Sequence, residues 1–587
     1  MGGVRGRHGR RLARLAAMAV AVLALPSPAG AQEPAHTRTT YAVPVTTPDE
    51  LGSAVTIQTD VYLPTRPAPA GGFPLVMVFH GGGSNKDNGF DAGNAAYFAD
   101  HGYAAVLYSQ RGHGGSTGQT AVAGPKEMRD LFDVAAWALG RGGRTEPAHA
   151  PFPLDAQRIA LAGYSQGGLH TNLGQVHSSD PALNPYGVRF RALLPGNTPD
   201  QVFKALVKDG TVKLSYGAGL LGTYTVAGDT KGRIAPAVAR WIATAGADRP
   251  ELYGRVLCEH TVHDTTTSAM KADLAFRSVG CFTSRMTPPS LWAQALDDEL
   301  FTPDMAIRMW REMPAGPLNR LYLDMAGHAA PGADPSVQAD KRRVQLAFLD
   351  HHLRGRSLEG PPIVYWTRDP DVRVPGDAYA YPPGAWRRHT ARQWPPAGVV
   401  SRRYTLSADG RARRGGTITS GSFPLQPLTQ DIANDPVAKA VLSSTPLGTS
   451  PVPSSVPSTF SPGFVASFAT SAFDADHELS GLTIAQLGWT PTGAESQLVV
   501  QLYDQAPGGA LTLLSRGLRG LRGETPGQRR SFNVSGTTFS ARIRRDHRLL
   551  VVVLAGNASF FKPFAGSAGG VLEAGPASTI DIPLRRL

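Results

Sequence analysis

The chain has 587 residues, too many for one ordinary domain, and its 66 glycines and 48 prolines stay below the ~25–30% share that marks disordered sequences. With 42% apolar residues it can bury large cores. The formal charge of +12 comes mostly from arginines scattered along the chain and clusters only within the first 14 residues, so no nucleic-acid partner is expected.

That basic cluster is followed by an apolar run from Leu15 to Leu25, then Pro26 and the small residues A-G-A at 29–31. The pattern is that of a secretory signal, residues 1–31, with cleavage expected after Ala31 and export by the general secretion route. The run is too short to span a bilayer, and no later apolar stretch reaches 18 residues, so no integral membrane association is expected.

Tyr41 to Leu63 reads as two β-rich runs, the second alternating with period two. Leu75 to Phe79 is a near-continuous apolar strand ending in H-G-G-G at 80–83, and Ala104 to Tyr108 is another, ending in S-Q-R-G-H-G-G-S-T-G at 109–118. A helix from Lys126 to Leu139 places Met128, Leu131, Phe132, Ala135, Ala136 and Leu139 on one face. Then comes R-I-A-L-A-G-Y-S-Q-G-G-L-H at 158–170: a short strand, a G-x-S-x-G turn centred on Ser165, and a helix. Phe190 to Leu194 makes a further strand. Alternating strands and helices with glycine-rich turns argue for a mostly parallel sheet covered on both faces, with ligands at the carboxyl ends of its strands.

Residues 199–287 break the alternation and read as an inserted helical cap. They hold the only two cysteines, Cys258 and Cys281, which in an exported protein read as one disulfide. Cys258, Glu259, His260 and His263 lie close together, but with Cys258 assigned to the bridge no metal site is expected, and no cofactor is implied. The sheet resumes at 290–294, followed by a helix near Pro303 to Met313, a strand from Arg320 to Asp324 and a helix from about Lys341 to Arg354. Beyond about 360 short alternating strands, Gln497–Tyr503, Ser531–Val534 and Leu549–Leu554 among them, read as a separate antiparallel jelly roll.

A serine at neutral pH needs an adjacent base, and the base needs an orienting acid. On a strand–turn–helix serine the partners follow in the order acid, then histidine. His328 sits in D-M-A-G-H directly after the strand at 320–324 and is the histidine that fits. The acid is expected after the strand at 290–294, where Q-A-L-D-D-E-L-F favours Asp298 and leaves Asp297 and Glu299 as solvated loop residues. The oxyanion donors are expected to be the Gln166 N–H and an N–H of Gly82 or Gly83.

Taken together, G-Y-S-Q-G-G, R-G-H-G-G-S-T-G, Q-A-L-D-D-E-L-F, A-G-H, W-R-R-H-T-A-R-Q-W-P-P at 386–396, L-V-V-Q-L-Y-D-Q at 498–505 and L-L-S-R-G at 513–517 resemble the X-Pro dipeptidyl-peptidase and cocaine-esterase group of serine hydrolases. The resemblance implies an α/β fold: an α/β-hydrolase core over residues 32–360 with the cap inserted before the acid strand, then a jelly-roll domain over 361–587. Members of the group often use a tyrosine side chain in the first oxyanion loop. This chain has H-G-G-G there, which resembles lipases and esterases instead. No residue reads as the carboxylate that would hold a peptide's amino terminus.

The expected function is therefore a secreted serine hydrolase cleaving ester or amide bonds of a small-molecule or peptide substrate. An X-Pro-type dipeptidyl-peptidase is the alternative within the class, and a non-catalytic surface-binding protein the alternative outside it. The sequence assigns no oligomeric state.

Overall fold

The structure is a computed structural model that describes residues 35–208, 211–213, 220, 222–230, 232–236, 238–239, 274–328, 335–369, 385–427, 451–452, 463–556, 561, 564 and 566–587. The expected signal at 1–31, Cys258 and the Glu259–His260–His263 group all lie outside these residues.

The first part of the chain forms strands β1 (His36–Val45), β2 (Val55–Pro64), β3 (Phe73–Phe79), β4 (Ala104–Tyr108), β5 (Leu154–Tyr164) and β6 (Ala192–Gly196). A small hairpin, β7 (Val207–Lys208) and β8 (Thr211–Val212), precedes β9 (Leu291–Ala295), β10 (Arg320–Asp324), β11 (Ile363–Arg368) and β12 (Trp386–Ala391). Side by side the order is β1-β2-β4-β3-β5-β6-β9-β10-β11-β12. From β4 to β11 neighbouring strands are parallel, and β1, β2 and β12 close the edges antiparallel.

Every residue of β3, β4, β6 and β9 is buried, as expected of strands covered on both faces. The cover comes from α1 (Gly89–Asp100), α2 (Pro125–Ala138), α3 (Gln166–Val176), α4 (Val202–Leu206), α5 (Pro303–Glu312) and α6 (Pro335–Arg354). In α2 the apolar face found in the sequence is the buried one: Met128, Leu131, Phe132 and Ala135 have no exposed surface. Each large side chain buried this way contributes ~1.5–3 kcal/mol. Pro125 sits in the first turn of α2, and the Glu127 carboxylate turns back to accept the Gly124 N–H at 2.6 Å, so the helix start is capped from within.

Two boundaries differ from the expectation. Helix α6 begins at Pro335, well before Lys341, because proline's fixed φ suits a first helical position. The sheet also runs past position 360: β11 lies parallel to β10 across the α6 crossover, and β12 returns antiparallel beside it. Two strands that follow the expected 360/361 boundary thus pair onto the core sheet.

Within 199–287 the described pieces are short: α4, the β7–β8 hairpin, one wide helical turn at Thr223–Ala227 and tight turns at Val279–Cys281 and Thr283–Arg285. The described residues of 400–587 contribute thirteen strands, β13 (Val400–Ser407), β14 (Arg411–Arg413), β15 (Gly421–Leu425), β16 (Pro451–Val452), β17 (Val465–Ala469), β18 (His477–Gly481), β19 (Ile484–Pro491), β20 (Glu495–Gln505), β21 (Leu511–Arg522), β22 (Arg530–Ser535), β23 (Phe539–Ile543), β24 (Arg548–Leu554) and β25 (Gly570–Arg586). They form an all-β domain whose long pairings, β13–β25, β19–β25, β19–β22, β20–β21 and β20–β24, are antiparallel. Among the described residues no helix is long and apolar enough to cross a membrane.

Candidate active site

The turn between β5 and α3 holds Ser165 at φ 57° and ψ −123°, a conformation that a residue with a side chain adopts only where its surroundings impose it. Glycines on both sides make the turn possible. A Cβ on Gly163 would collide with the Gly167 carbonyl, and one on Gly167 with the Phe79 carbonyl at the end of β3. The Ser165 N–H donates to the Gly196 carbonyl at 2.9 Å, tying the turn to β6.

Ser165 Oγ lies 2.9 Å from His328 Nε2, and His328 Nδ1 lies 2.8 Å from Asp298 Oδ2. With Nδ1–H donated to the carboxylate, Nε2 is left to accept the serine proton. Asp298 has no exposed surface, and its Oδ1 accepts the Leu300 and Phe301 N–H groups at 2.9 and 3.0 Å. The Phe301 ring meets the imidazole edge-on with centroids 5.0 Å apart.

Asn197, which the sequence reading did not single out, joins three strand ends at the site. It stands at φ 39°, accepts the Ala295 N–H at 2.8 Å and donates to the Gly327 carbonyl at 3.0 Å. Asparagine tolerates this left-handed geometry better than most residues, and N-T after the buried run A-L-L-P-G was the available signal.

Asp297 and Glu299 are not solvated as expected: they are only 4% and 3% exposed. Asp297 accepts the Gly327 N–H at 2.8 Å and lies 3.7 Å from Arg368, and burial pushes its carboxyl up to about 6. Glu299 pairs with Arg516 at 2.9 Å. Both partners lie far along the chain, where the local acidic run gave no hint of them.

On the other side of Ser165 the glycine loop is shaped by neutral imidazoles. His80 Nδ1 donates to the Gly81 carbonyl at 2.7 Å while its Nε2 accepts the Gln110 N–H at 2.9 Å. His113 Nδ1 donates to the Arg111 carbonyl at 3.1 Å, and its Nε2 accepts the Gly83 N–H at 3.3 Å. Burial holds His80 down to about 4 and His113 well below the usual imidazole range, so both rings are neutral near pH 7.

Of the expected Gly82/Gly83 pair, Gly83 has its N–H engaged by His113. The Gly82 and Gln166 N–H groups have no acceptor among the described residues. Over them lies Tyr224, whose hydroxyl donates to Gln166 Oε1 and would collide with any Cβ on Gly82. Arg111 and His113 come from the R-G-H motif found in the sequence; Arg111 anchors that loop through a buried two-point pair with Asp130 at 2.7 and 2.8 Å.

Two family models match the chain: X-Pro dipeptidyl-peptidase (S15 family) over residues 52–330, and the X-Pro dipeptidyl-peptidase C-terminal non-catalytic domain over 361–572. No curated protein sequence matches. Among solved structures, a CocE/NonD family hydrolase from Staphylococcus aureus is similar at 12% identity and a TM-score of 0.63, covering 94% of each chain. An α-amino acid ester hydrolase is similar at 15% identity and 0.61, covering 97% of this chain and all of the other. An aminopeptidase from a marine sediment Thaumarchaeota archaeon is similar at 14% identity and 0.60, covering 94% and 96%. At these identities the structures speak for the fold, and the family models carry the assignment. The chain belongs to the S15 X-Pro dipeptidyl-peptidase family of α/β-hydrolases and is a serine hydrolase of ester or amide bonds.

Proposed function

We propose that the protein is an exported carboxylic-ester hydrolase that works through an acyl-enzyme on Ser165 and prefers apolar acyl groups without a charged amine. The carrying observation is the apolar packing against the acid side of the site. Ala205, Leu300, Phe301 and Met305 form a buried apolar cluster, joined by Leu206 and Leu220, and its Phe301 touches His328. The carboxylates nearby are already engaged: Asp297 with Gly327 and Arg368, Glu299 with Arg516, Asp304 with Thr538, Asp200 with Arg308. A dipeptidyl-peptidase needs a carboxylate free to bind the substrate's ammonium group; of these four only Asp200 keeps an oxygen without a partner, buried and with its other oxygen already paired to Arg308.

In this reading His328 Nε2 takes the proton of Ser165 as its oxygen attacks the ester carbonyl, and Asp298 holds the imidazole in the tautomer that can accept it. The negative charge that develops on the carbonyl oxygen is met by the Gln166 and Gly82 N–H groups. His328 then protonates the departing alcohol, and water repeats the sequence to release the acid.

The test is a panel of p-nitrophenyl esters of increasing acyl length set against Gly-Pro-p-nitroanilide. Higher kcat/KM on the esters, abolished in Ser165→Ala, is expected; preferential turnover of the anilide would transfer the protein to the dipeptidyl-peptidase reading. Export and the bridge belong to the same proposal. The secreted protein should begin at Gln32, and the denatured, unreduced chain should titrate no thiol because Cys258 pairs with Cys281.

A further inference from the structure

The loop that carries Asp298 is gripped from outside the catalytic core. Asp298 depends on the Leu300 and Phe301 N–H groups, and the carbonyls of the same stretch are also held. Lys213, just after β8, donates to the Glu299 carbonyl at 2.7 Å and the Leu300 carbonyl at 3.0 Å. The Glu299 side chain receives Arg516, from β21 of the all-β domain, at 2.9 and 3.1 Å on its two oxygens. The side chains of this pair are only 2% and 3% exposed.

The same domain fixes the flanks. Thr538 donates its N–H and hydroxyl to Asp304 at the start of α5. Lys208 of β7 donates to the Ser535 carbonyl at 3.0 Å, and Gln497 of β20 to the Thr211 hydroxyl of β8 at 3.2 Å.

A buried ion pair is weak evidence for stability, because desolvating two charges offsets most of their attraction. What such a pair does supply is a fixed position, and here the fixed residue is the immediate neighbour of Asp298. Rotation of the peptides between 298 and 301 would cost Asp298 its two backbone donors and displace its contact with His328. We infer that Arg516, acting through Glu299, is a positioning residue for Asp298, so that the all-β domain is a working part of the active site. This rests on the Ser165–His328–Asp298 reading.

The test uses the full chain carrying Arg516→Met/Glu299→Met. The double change removes both charges and approximately keeps their volume, whereas Arg516→Met alone would strand a buried carboxylate. Active sites are counted by fluorophosphonate labelling of Ser165, and kcat and KM are measured on a p-nitrophenyl ester per labelled site. A purely structural role would lower the number of sites and leave turnover per site unchanged.

The expected result is a ~10- to 100-fold fall in kcat per site with KM changed by less than ~3-fold, the size associated with misplacing a catalytic group by about 1 Å. Arg516→Lys, which keeps a charge at Glu299, should restore most of it. Wild-type kcat per site in the double variant would overturn the proposal. If that variant yields no folded protein, Glu299→Gln measured in the same way decides: a ~10-fold fall supports the proposal and no change overturns it. Asp298→Asn, run in parallel, separates the two readings. Retained turnover there would remove the triad itself, while its collapse beside an unaffected double variant would remove only the role of Arg516.

Discussion

On the glycine-loop side of Ser165, the groups that touch the loop itself carry no charge, and the buried Arg111–Asp130 pair stands one layer behind them. His80 and His113 are buried and neutral, Gln110 and Gln166 are amides, and Tyr224 donates a hydroxyl. On the acid side, residues 297–304 are held by the cations Arg368 beside Asp297 and Arg516 on Glu299, and by the Lys213 amine, which burial draws down to about 7, on two carbonyls. The difference follows from what each side must do. One must present bare N–H dipoles to a charge that exists only during reaction, so its shape is set by packing and an extra methyl group is enough to spoil it. The other must hold a permanent carboxylate in one place inside the protein, which takes donors and counter-charges on every side.

The largest expected effect breaks the acid side. Asp298→Asn should cost ~10⁴-fold in kcat, because the imidazole loses the partner that fixes its tautomer. Asp297→Asn, which keeps an acceptor for the Gly327 N–H, should stay within ~10-fold. The reverse ranking in an esterase assay would move the acid by one residue.

Next comes the neutral side. Gly82→Ala should lower kcat ~100- to 1,000-fold, the range for losing an oxyanion donor, because its new Cβ collides with the Tyr224 hydroxyl. Adding Tyr224→Phe removes the colliding oxygen and should recover at least ~10-fold; a double variant no better than Gly82→Ala would show that packing does not set this loop.

The smallest effect concerns Asp91, near the start of α1. It is the case of a carboxyl beyond the glycine loop that burial, rather than pairing, controls. Its Oδ1 has no hydrogen-bond partner, Oδ2 receives only Asn88, and burial raises its carboxyl to about 7. A carboxyl raised in the folded state contributes its stability below pH ~4 and loses it as pH climbs through ~7. Asp91→Asn is neutral at every pH. It should match the native protein at pH 4 and exceed it at pH 8 by up to ~4 kcal/mol, visible as an apparent Tm higher by several degrees. Equal Tm at pH 8 would mean that burial does not raise the Asp91 carboxyl.

Much of this was legible from residue order. The buried parallel strands show as unbroken apolar runs, and the serine turn shows because glycines are required at Gly163 and Gly167 by contacts with adjacent chain. Asp298 and His328 could be picked out because the elements before them, β9 and β10, have strand patterns of their own. The acidic run 297–299 misled for a complementary reason. An Asp-Asp-Glu triplet looks solvated unless the partners are known, and Arg368 and Arg516 approach from elements far along the chain.

The same limit applies to the oxyanion loop. The H-G-G-G motif offers Gly82 and Gly83 alike as donors, and only the fold brings His113 to the Gly83 N–H. Likewise the change of texture after 360 gives no sign that β11 and β12 pair onto the core sheet. Residue order alone points to the serine–acid–histidine succession, since strand, turn and motif signals are encoded locally. The tertiary structure decided which charges are paired, which N–H stays free and how the all-β domain touches the acid loop. Those depend on residues from 30 to 217 positions apart in the chain, and no local pattern records such meetings.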